Sequence, residues 1–164
     1  MRIFLYLAVC LLAPGCSALE LLQSKTSCKL GRLEAIRGST GNLMDLWAQE
    51  DFPPKLRAKT ALELSRREDL PADVRREWLR RAATTSYQIN STQMIYVKDA
   101  GMIPVADITF CAGIPSAQFE LATALFEEEQ DLESACFLVR EATLARIPGA
   151  RDLRQEKADL CNSL

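Results

Sequence analysis

The 164-residue chain contains no histidine. That absence excludes histidine-based catalytic triads and histidine metal ligation. Excess charge of one sign is also missing: 20 Lys and Arg stand against 22 Asp and Glu, a formal net charge of −2, which argues against a strongly basic nucleic-acid binder. Seven glycines and seven prolines are too few for a collagenous or low-complexity chain. No Cys-x-x-Cys occurs among the six cysteines, so neither a zinc ribbon nor a thioredoxin-like redox site is indicated. A Gly-rich phosphate loop, Gly-x-Ser-x-Gly and His-Glu-x-x-His are likewise missing, and no cofactor is implied. Carboxylates are plentiful, but no pattern places two of them in one cleft. What remains is an ordinary globular composition, 48% hydrophobic and 26% charged, sized for about one domain.

The longest apolar run is Ile3 to Ala13, 11 residues behind the basic start Met1-Arg2. As a helix it would span roughly 16 Å, short of the ~30 Å hydrocarbon core of a bilayer. Pro14 and Gly15 break it, so residues 1–15 read as a signal peptide. The exit, Leu12-Ala13-Pro14-Gly15-Cys16-Ser17, resembles the lipobox of bacterial lipoproteins, with Pro14 and Ala13 departing from the usual pattern. The resemblance implies lipidation of Cys16, and Ser17 in place of the retention Asp implies an outer-membrane anchor facing the periplasm. The alternative is cleavage after Ala18 and a secreted chain. A chain starting at Cys16 loses Arg2 alone among its charges and carries 19 basic and 22 acidic residues, net −3.

Four cysteines remain beyond that point: Cys28, Cys111, Cys136 and Cys161. An even number in an exported chain suggests two disulfides, with three possible pairings. Cys111–Cys136 with Cys28–Cys161 is the expected set, and four small buried thiols are the alternative.

Residues 16–27 read as a tether and 28–164 as a single helical domain. Leu30, Leu33 and Ile36 suggest a short helix from Cys28, and Asn42 is a potential N-cap for one carrying Leu43, Leu46 and Trp47. Residues 54–68 and 72–85 form a helical hairpin (54–85) about Asp69-Leu70-Pro71. The β-prone runs Met94–Val97 and Met102–Phe110, joined by the turn-like Lys98-Asp99-Ala100-Gly101, predict a small β-hairpin excursion at 93–110. Asn90-Ser91-Thr92 fits the N-glycosylation sequon. Ser116 is the expected N-cap of a helix over 117–129, followed by helices at 132–146 and 150–161.

Across 116–148, Phe119-x2-Ala122-Thr123-x2-Phe126, then Ala135-x3-Val139, Ala142 and Pro148 resemble a degenerate tetratricopeptide (TPR) repeat. It lacks the consensus Leu and Gly of the first helix. The expected fold class is therefore mainly α, with antiparallel helical hairpins in a TPR-like or bundle arrangement and 150–161 as a capping helix. The resemblance implies a non-enzymatic protein or peptide binder, with Gln118, Glu120, Thr123 and Glu127 lining its groove. Arg75, Arg76, Arg80 and Arg81 form a basic patch, either a docking surface or a solvated helix face paired with acidic neighbours. The functional expectation is an exported, lipid-anchored scaffold of the cell envelope binding another protein. A secreted, disulfide-stapled effector acting on a receptor is the alternative. Nucleic acid is not an expected partner.

Overall fold

The computed structural model describes Cys28 and residues 38–164. The expected signal peptide and tether, Cys16 and the helix expected from Cys28 lie outside the described residues. Those described form seven helices and a two-stranded antiparallel sheet. In chain order they are α1 (Thr40–Ala48), α2 (Pro54–Ser65), α3 (Ala72–Thr84), β1 (Tyr87–Val97), β2 (Gly101–Cys111), α4 (Pro115–Glu127), α5 (Leu132–Leu144), α6 (Ala150–Glu156) and α7 (Ala158–Ser163).

The expectation of a helical repeat or bundle with a small excursion is corrected by the sheet. Two 11-residue strands pair continuously from Tyr87↔Cys111 to Val97↔Gly101, so the chain is mixed helix and sheet, although mainly helical. The ladder extends beyond 93–110 because backbone pairing does not depend on side-chain propensity. Gln88, Asn90 and Ser91 are poor β-formers, yet their strand is held at its base. Tyr87 is buried there and donates its Oη–H to the Cys28 carbonyl at 3.0 Å, and Cys111 is bonded to Cys28. At the other end the Ala100 N–H bonds Val97 O at 3.1 Å. Asp99 takes φ 74 and Gly101 φ 72 in that turn, conformations that Gly and Asp tolerate best.

Successive helices pack on one another: α1 on α2, α2 on α3, α3 on α4, α4 on α5 and α5 on α6. Small residues let the axes approach. Ala58 and Ala61 of α2, Ala82 and Ala83 of α3, Ala117 and Ala122 of α4, and Ala135 and Ala142 of α5 are all buried. Leu43, Leu64, Leu121, Leu125, Phe126, Leu138 and Val139 fill the space between them. Helix α1 is capped by Ser39, whose Oγ accepts from Asn42 N at 3.3 Å, so Asn42 is inside the helix instead of capping it. Helix α4 begins at Pro115 with Ile114 at the N-cap, displacing the expected Ser116. Proline at the first helical position has no N–H to leave unsatisfied. The expected 150–161 helix is two short ones, interrupted at Lys157.

Two disulfides are present, and their pairing differs from the expected one: Cys28–Cys111 and Cys136–Cys161, with Cα–Cα distances of 5.7 and 5.6 Å. Cys111 ends β2 while Cys136 lies one turn into α5, and the final helix brings Cys161 back over α5. Spacing along the chain does not contain that geometry. Two disulfides fit an oxidising, exported environment. Among the described residues no helix is long and apolar enough to cross a membrane.

Candidate functional site

Pairing in register puts opposite residues of an antiparallel ladder on the same face. At the base of the β1–β2 hairpin one face turns toward the helices, where Tyr87 and Cys111 are buried and Ile89 packs against the core, while Ile95 and Val105 further out on that face are exposed. The other carries Gln88 and Phe110, Asn90 and Ile108, Thr92 and Ala106, Met94 and Pro104, and Tyr96 and Met102. None of these ten residues is charged. Five large apolar side chains stand bare on it: Tyr96 at 74% exposure, Phe110 65%, Met102 56%, Ile108 55% and Met94 54%. A single exposed apolar residue is ordinary, but a contiguous uncharged group this size is the usual mark of a contact surface. Among the described residues the hairpin is pinned at its base by the Cys28–Cys111 bridge, the Tyr87 hydrogen bond and the packing of β1 on α2.

The groove residues inferred from the helical-repeat resemblance do not form one surface. Gln118 is 2% exposed and donates Nε2–H to the Ala83 carbonyl at 3.2 Å, so it is an internal tie between α4 and α3. A buried glutamine satisfied by backbone is a packing residue. Thr123 bonds back to Phe119 O at 2.9 Å. Glu120 lies 3.7 Å from Arg66, and Glu127 is exposed near the end of α4.

In the basic patch Arg76, Arg80 and Arg81 are engaged by acidic neighbours. Arg76 makes a two-pronged contact with Glu128, 2.6 Å from Nη1 to Oε1. The hydrogen bonds from Arg76 hold the Glu128 carboxyl below its ordinary value, and the same contact raises Arg76. Thus the arginine-rich helix and the acidic turn 127–129 meet each other across α3 and α4. Arg80 and Arg81 both approach Glu77, at 3.6 and 3.1 Å. Arg81 also sits 4.7 Å from the Trp47 ring centre and 4.5 Å from that of Trp78, while the two indoles meet edge to face at 5.2 Å. A guanidinium between two indoles is a cation–π contact that ties α1 to α3.

A concave feature of about 530 Å³ lies beside the Cys136–Cys161 bridge and is lined by Phe137, Arg140 and Arg154 among others. Among the described residues no group of three or more Cys, Asp or Glu converges as a metal-ligand set. No protein-family model, no curated protein and no solved structure matches the chain. The functional reading therefore rests on the geometry of the hairpin. Its β character was legible as the run Met102–Phe110, but which residues share the bare face follows only from the register.

Proposed function

We propose that this chain is an exported, non-enzymatic binding protein of the cell envelope, tethered through an acylated Cys16, that engages another protein through the β1–β2 hairpin. The observation that carries the reading is the uncharged face bearing Met94, Tyr96, Met102, Ile108 and Phe110, which no part of the described chain covers. Burying such a face is favourable by about 25 cal/mol per Å², so water is its least favourable neighbour. The signal-like start and the lipobox-like exit support export and anchoring, and the two disulfides support an oxidising compartment.

Site-specific photocrosslinking in intact cells tests the reading. A benzophenone side chain replacing Ile108 is expected to yield a light-dependent protein adduct, and one replacing the exposed Glu133 on α5 is not. Equal adduct formation at both positions, or none at 108, refutes the hairpin as the docking element. Intact-mass measurement of the mature chain checks the anchor: a diacylglyceryl Cys16 supports it, and an unmodified start at Leu19 favours the secreted effector.

A further inference from the structure

The bare face also indicates what kind of partner it fits, and this inference rests on the hairpin being the docking element. We propose that the hairpin packs face to face against the same hairpin of a second copy of this chain, forming a two-fold dimer. A two-fold contact places each patch against itself, so any net charge on it meets its like. The ten residues of the outward face carry no charge at all. This is unusual in a chain that is 26% charged. A partner recognised by charge would require charged residues here; the nearest in sequence is Asp107, whose register position opposite Ser91 belongs to the other face, and Lys98 and Asp99 lie in the turn.

Area points the same way. Taking aromatic side chains at ~150–250 Å² each and the aliphatic ones slightly smaller, the exposures of Tyr96, Phe110, Met102, Ile108 and Met94 leave on the order of 600 Å² of surface per copy. Two copies would bury roughly 1,200 Å², the lower bound of a stable specific interface. Pro104 and Ala106, exposed on the same face, add to it. At its base the hairpin already has one face against its own helices, so a second sheet stacked about 10 Å away on the outward face would add a layer there.

Sedimentation equilibrium and photocrosslinking of the purified, oxidised mature chain test the proposal. The expected result is a mass twice that of the protomer at micromolar concentration, and a return to protomer mass in Phe110→Glu and in Ile108→Lys. Mixing those two variants is expected to recover part of the association, because opposite charges then face each other. In case either charged variant fails to fold, the near-isosteric benzophenone replacement of Phe110 gives a second readout: irradiation of the pure protein yields a covalent dimer.

A protomer mass at every concentration up to about 100 µM together with no covalent dimer overturns the proposal. Binding of phosphatidylglycerol vesicles by a strictly monomeric chain overturns it too and assigns the face to a lipid surface. If the chain is monomeric but position 108 still crosslinks a different protein in cells, the dimer fails and the wider docking reading survives. If neither adduct appears, both fail.

Discussion

Gly113, between β2 and α4, is the position where one methyl group should be felt most. Its φ is 157°, and an ideal Cβ there would lie 1.8 Å from the Ala83 carbonyl oxygen and 2.3 Å from the carbonyl carbon. Ordinary contact begins near 3.4 Å, so in Gly113→Ala the end of α3 and the start of α4 must part by roughly 1.5 Å. The obstructing atoms are backbone and cannot rotate away. The displacement strains two ties across this junction: Ile114 N–H to Ala82 O at 2.9 Å and the buried Gln118 Nε2–H to Ala83 O at 3.2 Å. Each group left buried and unsatisfied costs about 1–3 kcal/mol, and forcing Ala into this backbone region costs about 1–3 kcal/mol more. The expected loss is therefore about 4 kcal/mol or greater, a large fraction of a typical 5–15 kcal/mol total. Urea unfolding of the oxidised protein, followed by the fluorescence of Trp47 and Trp78, measures it. Gly41→Ala is the control. That glycine is in α1 with nothing within 4 Å of a new Cβ, so the variant should gain about 0.5–1 kcal/mol from helix propensity. A Gly113→Ala protein with native near-ultraviolet circular dichroism and a loss below about 1 kcal/mol would refute the close-approach argument.

The two disulfides should differ in worth by loop length. By chain entropy, replacing Cys28 and Cys111 with Ala costs about 4–5 kcal/mol and replacing Cys136 and Cys161 about 3–4 kcal/mol, for sequence separations of 83 and 25. Urea midpoints in the reverse order would contradict this. Tyr87 is pushed from 10.0 up to about 12 by burial of its phenol. Its folded value lies above the unfolded one, so its contribution is fully present below pH 10 and is lost as pH rises through 12. In a Tyr96→Phe chain without the signal segment it is the one remaining tyrosine, and absorbance at 295 nm should titrate near 12 and not 10. Glu128 has the opposite sign: its carboxyl is depressed by Arg76, so the pair's contribution is present above 4.5 and lost as pH falls through the folded value. Glu128→Gln should flatten the acid limb of the stability profile slightly, a small effect because both side chains are about one third exposed. An unchanged acid limb would show that the pair contributes nothing measurable.

The helices were legible where apolar spacing and end signals coincide. Asp69-Leu70-Pro71 separates α2 from α3, and Asp131 caps α5 by accepting from Ser134 N at 3.3 Å. Legibility failed where a polar stretch was tied from a distance. Residues 88–92 lie outside the hairpin expected at 93–110, yet they are strand, in a ladder whose base Tyr87 and Cys111 fasten to Cys28. It failed again where helix faces turned inward: Gln118 reads as a solvent-facing groove residue and is instead an interior hydrogen-bond donor. Arg76 was visible as part of the basic patch, and its meeting with Glu128 depends on α3 and α4 lying side by side.

By itself, the amino-acid sequence determined the local and compositional properties: the lack of histidine chemistry, the export-like start, an even cysteine set, and helices where 3.6-residue spacing is clear. These follow from residue identity and near neighbours. The tertiary structure alone decided which cysteines meet, how far the hairpin extends and which ten residues form its uncharged bare face. Each of those depends on pairing between residues distant in sequence, where strand register and helix packing, not propensity, determine which side chains come together.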